Sequence, residues 1–358
     1  MKIALITDTH FGVRNDNQTF HQANKKFFGE VFFPYLYKNN IQHLIHLGDL
    51  VDRRRYINFV SASEMRKTFL DPLQQMIDLG EMKEVHIIAG NHDVYYKNTN
   101  LINALDEIVG NKYDFTIHTN PTQLAIGDTP FLLLPWINPE NYDATISAIN
   151  NSNAEICMGH LELNGFEMYR GTVSTHGEDP SIFNRFDVVC SGHYHHRSST
   201  GNIHYLGSHG QFVWSDYGDQ RGFHIFDTET RELTFIANPD NMFYKHHYDD
   251  SDTNIDDLLK FDESQYTGKY VKVIVRNKDN PIWFDMMIDK IERAQPADVQ
   301  TVEDHLNLNL DDDSDIVNET EDTLTSLKKH VHSMSMKTDL FRVEKIITEL
   351  YTEAQSIT

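Results

Sequence analysis

The sequence predicts an α/β protein in which two stacked mixed β-sheets are flanked by helices. Three observations predict it. Short apolar runs alternate with helical patterns over the first hundred residues, strand-like runs become denser after about residue 115, and five of the runs end in Asp, Asn or His. Alternating strands and helices favour a largely parallel sheet. The denser strands that follow predict a second sheet stacked on the first, with helices outside.

The first domain, expected at residues 1–240, begins with three buried-strand patterns separated by helices. The strands are expected in KIALITD (2–8), HLIHLGD (43–49) and VHIIAGN (85–91), and the helices at 19–38 and 57–79. The second sheet is expected from FTIHT, TQLAI, PFLLLPW, AEICMGH, DVVCSGH, NIHYLGS and GFHIFD. These runs are short and apolar, as buried strands are.

The C-terminal third predicts a small α/β capping domain at 241–297, an acidic linker at 298–322 and a helical tail at 323–358. In the capping domain, KYVKVIVRN (269–277) alternates like a strand, and an amphipathic helix follows from Pro281. The tail carries apolar positions at helical spacing. It either docks on a partner or packs back on its own chain.

Net charge, apolar runs and cysteines limit the classes of protein to which this sequence can belong. Residues 249–263 and 298–322 contribute −6 and −10 to the net charge of −23, so solvated linker explains most of it. A strongly basic surface is missing, which counts against tight binding of nucleic acid by this chain alone. The sequence contains no apolar run of membrane-spanning length and no secretion signal. Cys157 and Cys190 lie in apolar strand patterns, which predicts buried free thiols and a cytoplasmic location.

The five strand ends that finish in polar residues predict a metal site. They are DTH (Asp8, His10), GDLVD (Asp49, Asp52), GNHD (Asn91, His92, Asp93), MGH (His160) and SGHYH (His193, His195). Strand carboxyl ends gather ligands at one edge of such a sheet. Each motif alone is more often structural, but five in this order predict a binuclear site.

The residue types suit a pair of divalent ions. Two ions about 3.5–4 Å apart need a carboxylate between them, and Asp49 is the natural bridge. Imidazole and carboxylate without thiolate suit manganese, iron or zinc. A hydroxide held between the ions could attack a phosphodiester near neutral pH.

This order of motifs resembles the calcineurin-like metallophosphoesterase superfamily and its four-layer fold. The spacing resembles the SbcD / meiotic recombination eleven nucleases, and especially the recombination endonuclease subunits of T-even-type bacteriophages. The stretch GNIHYLGSHGQFVWSDYGDQRGFHIFDTETREL (201–233) is most similar to the phage form. The resemblance covers residues 1–235 well, and the remainder agrees in layout.

The resemblance implies roles for the motif residues. One metal would be held by Asp8, His10, Asp49 and His195, and the other by Asp49, Asn91, His160 and His193. His92 would contact the scissile phosphate, and Asp93 would orient a ligand histidine. Asp52 stands where some relatives carry a histidine that assists catalysis, so an acceptor role is the alternative. The His209-Gly210 turn departs from the proline-containing turn of the family.

The resemblance also implies an activity and partners. The activity is metal-dependent cleavage of DNA in recombination, repair and replication, with Mn²⁺ favoured and Mg²⁺, Fe²⁺ or Zn²⁺ open. It includes exonuclease action on duplex ends and endonuclease action on single strands or hairpins. The partners are a second copy of the chain and an SMC-type ATPase like SbcC, bound by the C-terminal helices, in a heterotetramer. Two alternatives are a phosphoesterase of small substrates and a scaffold that loads the ATPase.

Several residues near the motifs are candidates for DNA contacts. Arg53, Arg54 and Arg55 follow GDLVD directly, but an exposed loop that balances nearby acids explains them equally well. The loop 161–176 offers Phe166, Tyr169, Arg170 and His176, although core packing is the simpler explanation for its aromatic residues. Trp214 and Tyr217 line the same groove or pack within their own turn.

Overall fold

This computed structural model describes residues 1–251 and 255–303, together with Val343. The chain divides into two units, Met1–Leu308 and Asn309–Thr358, and the helices and strands given below belong to the first. The predicted helical tail at 323–358 and most of the predicted linker lie outside the described residues.

The helices and strands follow one another in the order that the sequence predicts. The strands are β1 (Lys2–Ile6), β2 (His43–His46), β3 (Glu84–Ile88), β4 (Thr116–His118), β5 (Thr122–Ile126), β6 (Thr129–Leu134), β7 (Ile156–His160), β8 (Glu167–Tyr169), β9 (Thr172–Val173), β10 (Val188–Gly192), β11 (Ser198–Thr200), β12 (Ile203–Tyr205), β13 (Gly222–Asp227), β14 (Leu233–Ala237), β15 (Phe243–Asp249), β16 (Tyr270–Asn277) and β17 (Asp298–Glu303). The α-helices are α1 (Gln18–Phe27), α2 (Phe33–Lys38), α3 (Phe59–Met65), α4 (Asp71–Asp78), α5 (Tyr142–Asn151), α6 (Ile255–Lys260) and α7 (Pro281–Arg293). π-Helical turns at Phe28–Phe32 and Arg66–Leu70 join α1 to α2 and α3 to α4.

The first sheet has the strand order β14-β13-β1-β2-β3-β4. Strands β1 to β4 are parallel neighbours, and β13 runs antiparallel to β1. The expected βαβαβ beginning is therefore confirmed. FTIHT and GFHIFD were expected in the second sheet, and that expectation is wrong, because β4 and β13 extend the first sheet on its two sides. A run of apolar residues indicates that a strand is buried, but it does not indicate which strand pairs with it.

The second sheet has the order β11-β12-β10-β7-β6-β5 and stacks on the first. Alternating side chains of β1 show how the layers form, because successive residues of a strand point to opposite faces. Ile3 and Leu5 pack between the sheets, whereas Ala4 and Ile6 pack under the helices. On the far side, α5 covers the second sheet through Ile149. The result is the predicted four-layer arrangement of helices, sheet, sheet and helix.

A separate three-stranded parallel sheet, β15-β16-β17, follows the first domain. Its core packs Val271 and Val273 against Met287 and Ile291 of α7. The predicted linker began at residue 298, but residues 298–303 form β17, paired along β16. That part of the linker prediction is wrong. The acids of the segment concealed Val299 and Val302, which lie opposite Val271 and Ile274 of β16.

Cys157 and Cys190 are both buried free thiols, as predicted. No helix in the described part of the chain is long and apolar enough to span a membrane.

A histidine pair within the first sheet makes the stability of the fold depend on pH. His118 is 4% exposed, and its Nε2 lies 3.0 Å from Nδ1 of His86. Burial, with a smaller effect of His86, lowers the pKa of His118 to about 4. The unfolded pKa is about 6.5. The neutral ring therefore contributes its full stability above pH 6.5 and loses it as the pH falls towards 4.

We predict that the free energy of unfolding falls by up to about 3 kcal/mol from this group as the pH drops from 6.5 to 4. Urea unfolding across that range measures it. A His118→Asn variant is expected to show a shallower pH dependence, and His176→Asn, a surface substitution, should keep the wild-type slope. Equal slopes for His118→Asn and the wild type would refute this account.

Candidate metal centre

The predicted site residues lie where strands of both sheets end. Asp8, His10, Asp49 and His193 all have positive φ angles, of 51°, 42°, 56° and 87°. Such values are uncommon for residues other than glycine and cost free energy. The chain therefore turns sharply after β1, β2 and β10, and the strained turns direct these side chains towards one another.

The first cluster joins the end of β1 to the loop after β10. Asp8, His10 and His195 are buried and offer ligand atoms within 4.8 Å of one another. Nε2 of His10 lies 2.9 Å from Nε2 of His195 and 3.9 Å from Oδ1 of Asp8. Nδ1 of His10 has no hydrogen-bond partner among the described residues.

The second cluster consists of Asp49, His160 and His193, which are also buried. Oδ1 of Asn91 lies 2.9 Å from Nε2 of His160 and 2.9 Å from Nδ1 of His193. His160 donates Nδ1–H to the Leu47 carbonyl at 2.8 Å. That bond fixes the orientation of the ring and directs Nε2 into the cluster.

Asp49 lies between the two clusters. Its Oδ2 is 3.3 Å from Nε2 of His160 and 3.7 Å from Nε2 of His10. The structure therefore brings together all seven residues for which the resemblance implies ligation, with Asp49 in the position expected of a bridge. The seven are Asp8, His10, Asp49, Asn91, His160, His193 and His195.

The electrostatics of the clusters fit divalent cations. Asp8 and Asp49 are at most 1% exposed, and no lysine or arginine in the described ranges forms an ion pair with either. Burying carboxylates without cations is costly. The oxygen and imidazole donor set is one that divalent metal ions bind, so the residues present fit the expected ions.

The pKa values of most of the predicted ligands favour the protonation states that metals need. Burial, with neighbouring charges, lowers the pKa of His10 and His193 far below the usual value, and that of His195 to about 3. Burial alone would raise the pKa of Asp49, but His160 holds it well below its usual range. Three neutral imidazoles and an ionised carboxylate result at neutral pH. His160 differs, because the charges of Asp49 and Asp8 outweigh burial and raise its pKa to about 9. A divalent ion bound there would displace that proton.

Asp93 contacts different groups from those expected. Its carboxylate accepts hydrogen bonds from the backbone N–H groups of Gly90, Asp49, Leu50 and Val51, at 2.9–3.1 Å. The expectation that Asp93 orients a ligand histidine is therefore wrong, since a backbone carbonyl orients His160. Asp93 instead joins the GDLVD and GNHD loops. Burial, and the nearby charge of Asp49, raise its pKa to about 7.

His92 and Asp52 lie at the edge of the first cluster. The rings of His92 and His10 meet edge to face with centroids 4.8 Å apart. His92 donates its backbone N–H to Asp49 Oδ1 at 2.7 Å and its Nδ1–H to the Asp52 carbonyl at 2.5 Å. The Asp52 carboxylate lies 3.6 Å from Nδ1 of His10. Asp52 thus contacts a predicted ligand and orients the predicted catalytic histidine.

Two motif glycines allow these loops to approach. A Cβ on Gly90 would overlap the carboxylate and backbone nitrogen of Asp49, and one on Gly48 would overlap the His160 ring. Gly48 also has a φ of 100°. Both motifs therefore need glycine directly before the polar residue.

The three arginines after GDLVD have different surroundings. Arg53 forms an ion pair with Asp16 at 2.9 Å and lies over Tyr56. Arg55 is exposed beside Tyr95. Arg54 is partly buried, and its Nη1 has no hydrogen-bond partner in the described part of the chain. Of these three arginines, only Arg54 is partly buried and also has an N–H donor without a partner among the described residues.

Most of the other residues that were candidates for DNA contacts pack in the core or lie on the surface. Phe166 is buried in the core of the second sheet, and Trp214 packs on Phe243 of the small sheet with centroids 4.8 Å apart. Arg170 and His176 are exposed. His209 of the unusual turn is buried, and its Nε2 lies 2.9 Å from Oδ1 of Asn24. That turn is thus anchored to α1.

Sequence reasoning missed residues that pack directly on the clusters. Trp136 follows β6, and its ring lies 5.1 Å from the His193 ring and 6.2 Å from the His160 ring between centroids. Thr7 donates to Asp8 Oδ2 at 2.6 Å. A signal existed for Trp136, since PFLLLPW is a further strand pattern that ends at the same edge.

Comparisons with known proteins agree with this geometry. The family description of calcineurin-like phosphoesterases matches residues 1–197, which is more than half of the chain. Exonuclease subunit 1 of Enterobacteria phage T4 is 30% identical over 357 residues, covering 99% of each chain.

A second relative is the SbcD subunit of the nuclease SbcCD from Staphylococcus epidermidis. It is 26% identical over 272 residues, covering 66% of this chain and 69% of the relative. Among solved structures, a purple acid phosphatase from yellow lupin seeds has 10% identity and a TM-score of 0.38, covering 66% of this chain and 52% of its own. The last similarity is too low to add to the assignment.

The contacts of Asp93 generate a prediction. In Asp93→Asn, an amide NH₂ replaces one acceptor oxygen and faces backbone N–H groups, so the two loops should separate. We expect Mn²⁺ affinity, measured by calorimetry, to fall about 10–100-fold, together with the melting temperature. Asp128→Asn, in an exposed turn, is the control. Unchanged Mn²⁺ affinity in Asp93→Asn would show that the loops hold together without this carboxylate.

Proposed function

This chain belongs to the calcineurin-like phosphoesterase family, and we propose that within it the protein is a metal-dependent DNA nuclease. The observation that carries the proposal is the meeting of two buried ligand clusters around Asp49. The full-length similarity to a phage exonuclease subunit selects DNA as the substrate. The activities we propose are exonuclease action on duplex ends and endonuclease action on single strands and hairpins.

We propose that each of the two clusters, together with Asp49, holds one divalent ion. Asp8, His10, Asp49 and His195 would hold one divalent ion, and Asp49, Asn91, His160 and His193 the other. Bound there, the ions supply Lewis-acid activation of water and of the phosphate. Mn²⁺ suits the mixed imidazole and carboxylate set.

His92 is the proposed catalytic residue of the chain itself. Its bonds to Asp49 and to the Asp52 carbonyl fix the ring beside His10. With Nδ1 occupied by the carbonyl, Nε2 is the nitrogen that would reach a phosphate. From there the ring would stabilise developing negative charge or protonate the leaving 3′ oxygen.

A nuclease assay tests the function and this role together. We expect Mn²⁺-dependent cleavage of end-labelled duplex and hairpin DNA, with and without the ATPase. His92→Ala should keep its Mn²⁺ content and lose cleavage by about 10²–10⁴-fold, whereas Asp49→Asn should lose both. No cleavage of DNA by the wild type would remove the proposed function, and full cleavage by His92→Ala would remove only the role of that residue.

The DNA backbone is proposed to pass beside Arg54. Burial lowers the pKa of this guanidinium, and the charge of Asp49 opposes the effect. A partly buried cation with an unused donor gains most when an anion binds, and guanidinium matches phosphate geometry. Arg53 is already paired with Asp16, so Arg55, Arg170 and His176 are the weaker candidates for contacts further along the strand.

Salt dependence of DNA binding distinguishes these arginines. We predict that Arg54→Gln weakens binding of single-stranded DNA about tenfold. The slope of log binding constant against log salt concentration should fall in magnitude by about 1, the change expected when one phosphate contact is lost. Fluorescence anisotropy at several salt concentrations measures both quantities. Arg276→Gln, an exposed arginine of the small sheet, should leave them unchanged. A wild-type slope in Arg54→Gln would place the phosphates elsewhere.

The domain layout supports a capping role for the small α/β unit. The first domain and this unit meet through Phe20, Phe212 and Trp214 on one side and Phe243 on the other. We propose 1–240 as the nuclease domain and the following unit, extended to residue 303, as its cap.

The proposed partners are a second copy of the chain and an SMC-type ATPase. The ATPase is assigned to the segment 323–358, which lies outside the described residues. For the second copy, α3 offers an apolar face. Phe59 is 92% exposed and Val60 47% exposed, and Phe59 borders a cavity of about 810 Å³ with Ile57 and Ile108. Exposed apolar surface of this kind is typical of interfaces.

We predict that Phe59→Asp converts a homodimer into a monomer, because it places a charge within the apolar contact. Sedimentation velocity measures the change in mass. Asp128→Asn, in an exposed turn that does not border this cavity, serves as a control. A dimer that persists in Phe59→Asp would move the interface to another surface.

A further inference from the structure

A polar cavity lies at the open edge of the two stacked sheets, and none of the residues of the two ligand clusters lines it. Its volume is about 400 Å³. Strands β11 and β14 are the edge strands there, and β12 and β13 lie next to them. The side chains that matter for its chemistry are Arg197, Ser198, His204, His224, Arg231 and Phe235.

Strand alternation makes this edge unlike the rest of the layer between the sheets. Phe223 and Ile225 pack under the helices, so His224 points into the layer between the sheets. His204 faces it too, since its neighbours in β12 pack on the outer side. Elsewhere that layer consists of aliphatic and aromatic residues. Histidines in these two positions add nothing to an apolar core.

Two residues that line the cavity each carry a buried polar atom that lacks a hydrogen-bond partner among the described residues. The two atoms are Nδ1 of His224, a residue only 5% exposed, and Oγ of Ser198. Leaving a buried polar group unpaired costs about 1–3 kcal/mol. Two such atoms in one cavity indicate that a polar ligand completes them.

The charge of the lining selects an anion. The residues that line the cavity include two arginines and no acid, in a chain whose net charge is −23. Burial lowers the pKa of His204 and that of His224, so both rings are neutral donors near pH 7. Arg197 forms no ion pair with any residue that the structure describes, and its guanidinium lies 3.8 Å from the centroid of the Phe235 ring. Arg231, at the mouth, pairs with Glu155 at 2.9 Å.

We propose that this cavity binds a phosphorylated small molecule of mononucleotide size. The phosphate accepts hydrogen bonds from Arg197, from His224 Nδ1–H and from the Ser198 hydroxyl, and a base stacks on the Arg197–Phe235 pair. Guanidinium and phosphate form short charge-assisted bonds, and bases stack on aromatic rings and arginine planes. The volume lies within the range of small-ligand pockets.

This site is independent of the proposed nuclease activity. Arg197 follows His195 by two residues in the sequence, but the cavity contains none of the residues assigned to the metals. A failure of either proposal therefore leaves the other standing.

Calorimetry with the full-length, Mn²⁺-loaded chain and 2′-deoxyadenosine 5′-monophosphate tests the proposal. We expect one class of binding that weakens at least tenfold in Arg197→Gln and in His224→Asn, the loss typical of one charge-assisted bond. Binding should persist in Arg276→Gln, a charge-matched control, and in Asp49→Asn, which disables the metal centre. Inorganic phosphate should bind more weakly than the nucleotide, and deoxyadenosine should not bind measurably.

Three results would overturn the site. They are no binding of the nucleotide by the wild type, binding that is lost in Asp49→Asn but kept in Arg197→Gln, and equal binding of deoxyadenosine. Melting temperatures identify a variant that fails to fold. Arg197→Lys keeps the positive charge without the planar stack, so it should bind inorganic phosphate like the wild type and the nucleotide more weakly.

Discussion

The structure depends on one electrostatic constraint: Asp8, Asp49 and Asp93 are buried together, without arginine or lysine partners among the described residues. The fold offsets this cost in two ways. Backbone N–H groups of the two loops donate hydrogen bonds to Asp93, and imidazoles surround Asp8 and Asp49. What remains is an excess of donor lone pairs that divalent cations complete. Much of the local geometry, including strained φ angles and glycines placed before the polar residues, follows from keeping these groups together.

Each of the two stacked sheets supplies part of the predicted metal ligands. The first sheet supplies the carboxylates, His10 and Asn91 from the ends of β1, β2 and β3, and the second supplies His160 from β7 and two histidines after β10. Neither sheet alone carries a complete donor set. The apolar layer between them, from Ile3 to Met158, therefore fixes the separation of the ligands. The same stacking leaves an open edge at β11 and β14, where the layer turns polar and forms the anion cavity.

Local features of the sequence predicted the strands, the helices and the clustering of the motif residues, because burial and strand ends leave a direct pattern. The pairing of strands could not be predicted in the same way. β4 and β13 lie in the first sheet, and a buried strand pattern does not indicate which strand lies beside it. Charge composition misassigned 298–303, where two valines form strand contacts among acids. The contacts of Asp93 and the separate surroundings of Arg53 and Arg54 depend on loop conformation, which spacing does not specify. His224 gave no signal, because a single histidine within a strand is usually a packed residue.

The central claim is that Asp49 lies between two divalent ions. Titration of the full-length protein with Mn²⁺, followed by electron paramagnetic resonance at low temperature, tests it most directly. Two ions per chain with spin coupling between them are expected, and replacement of the bridging carboxylate should abolish the coupling. A single ion, or two ions that show no magnetic interaction, would contradict the account.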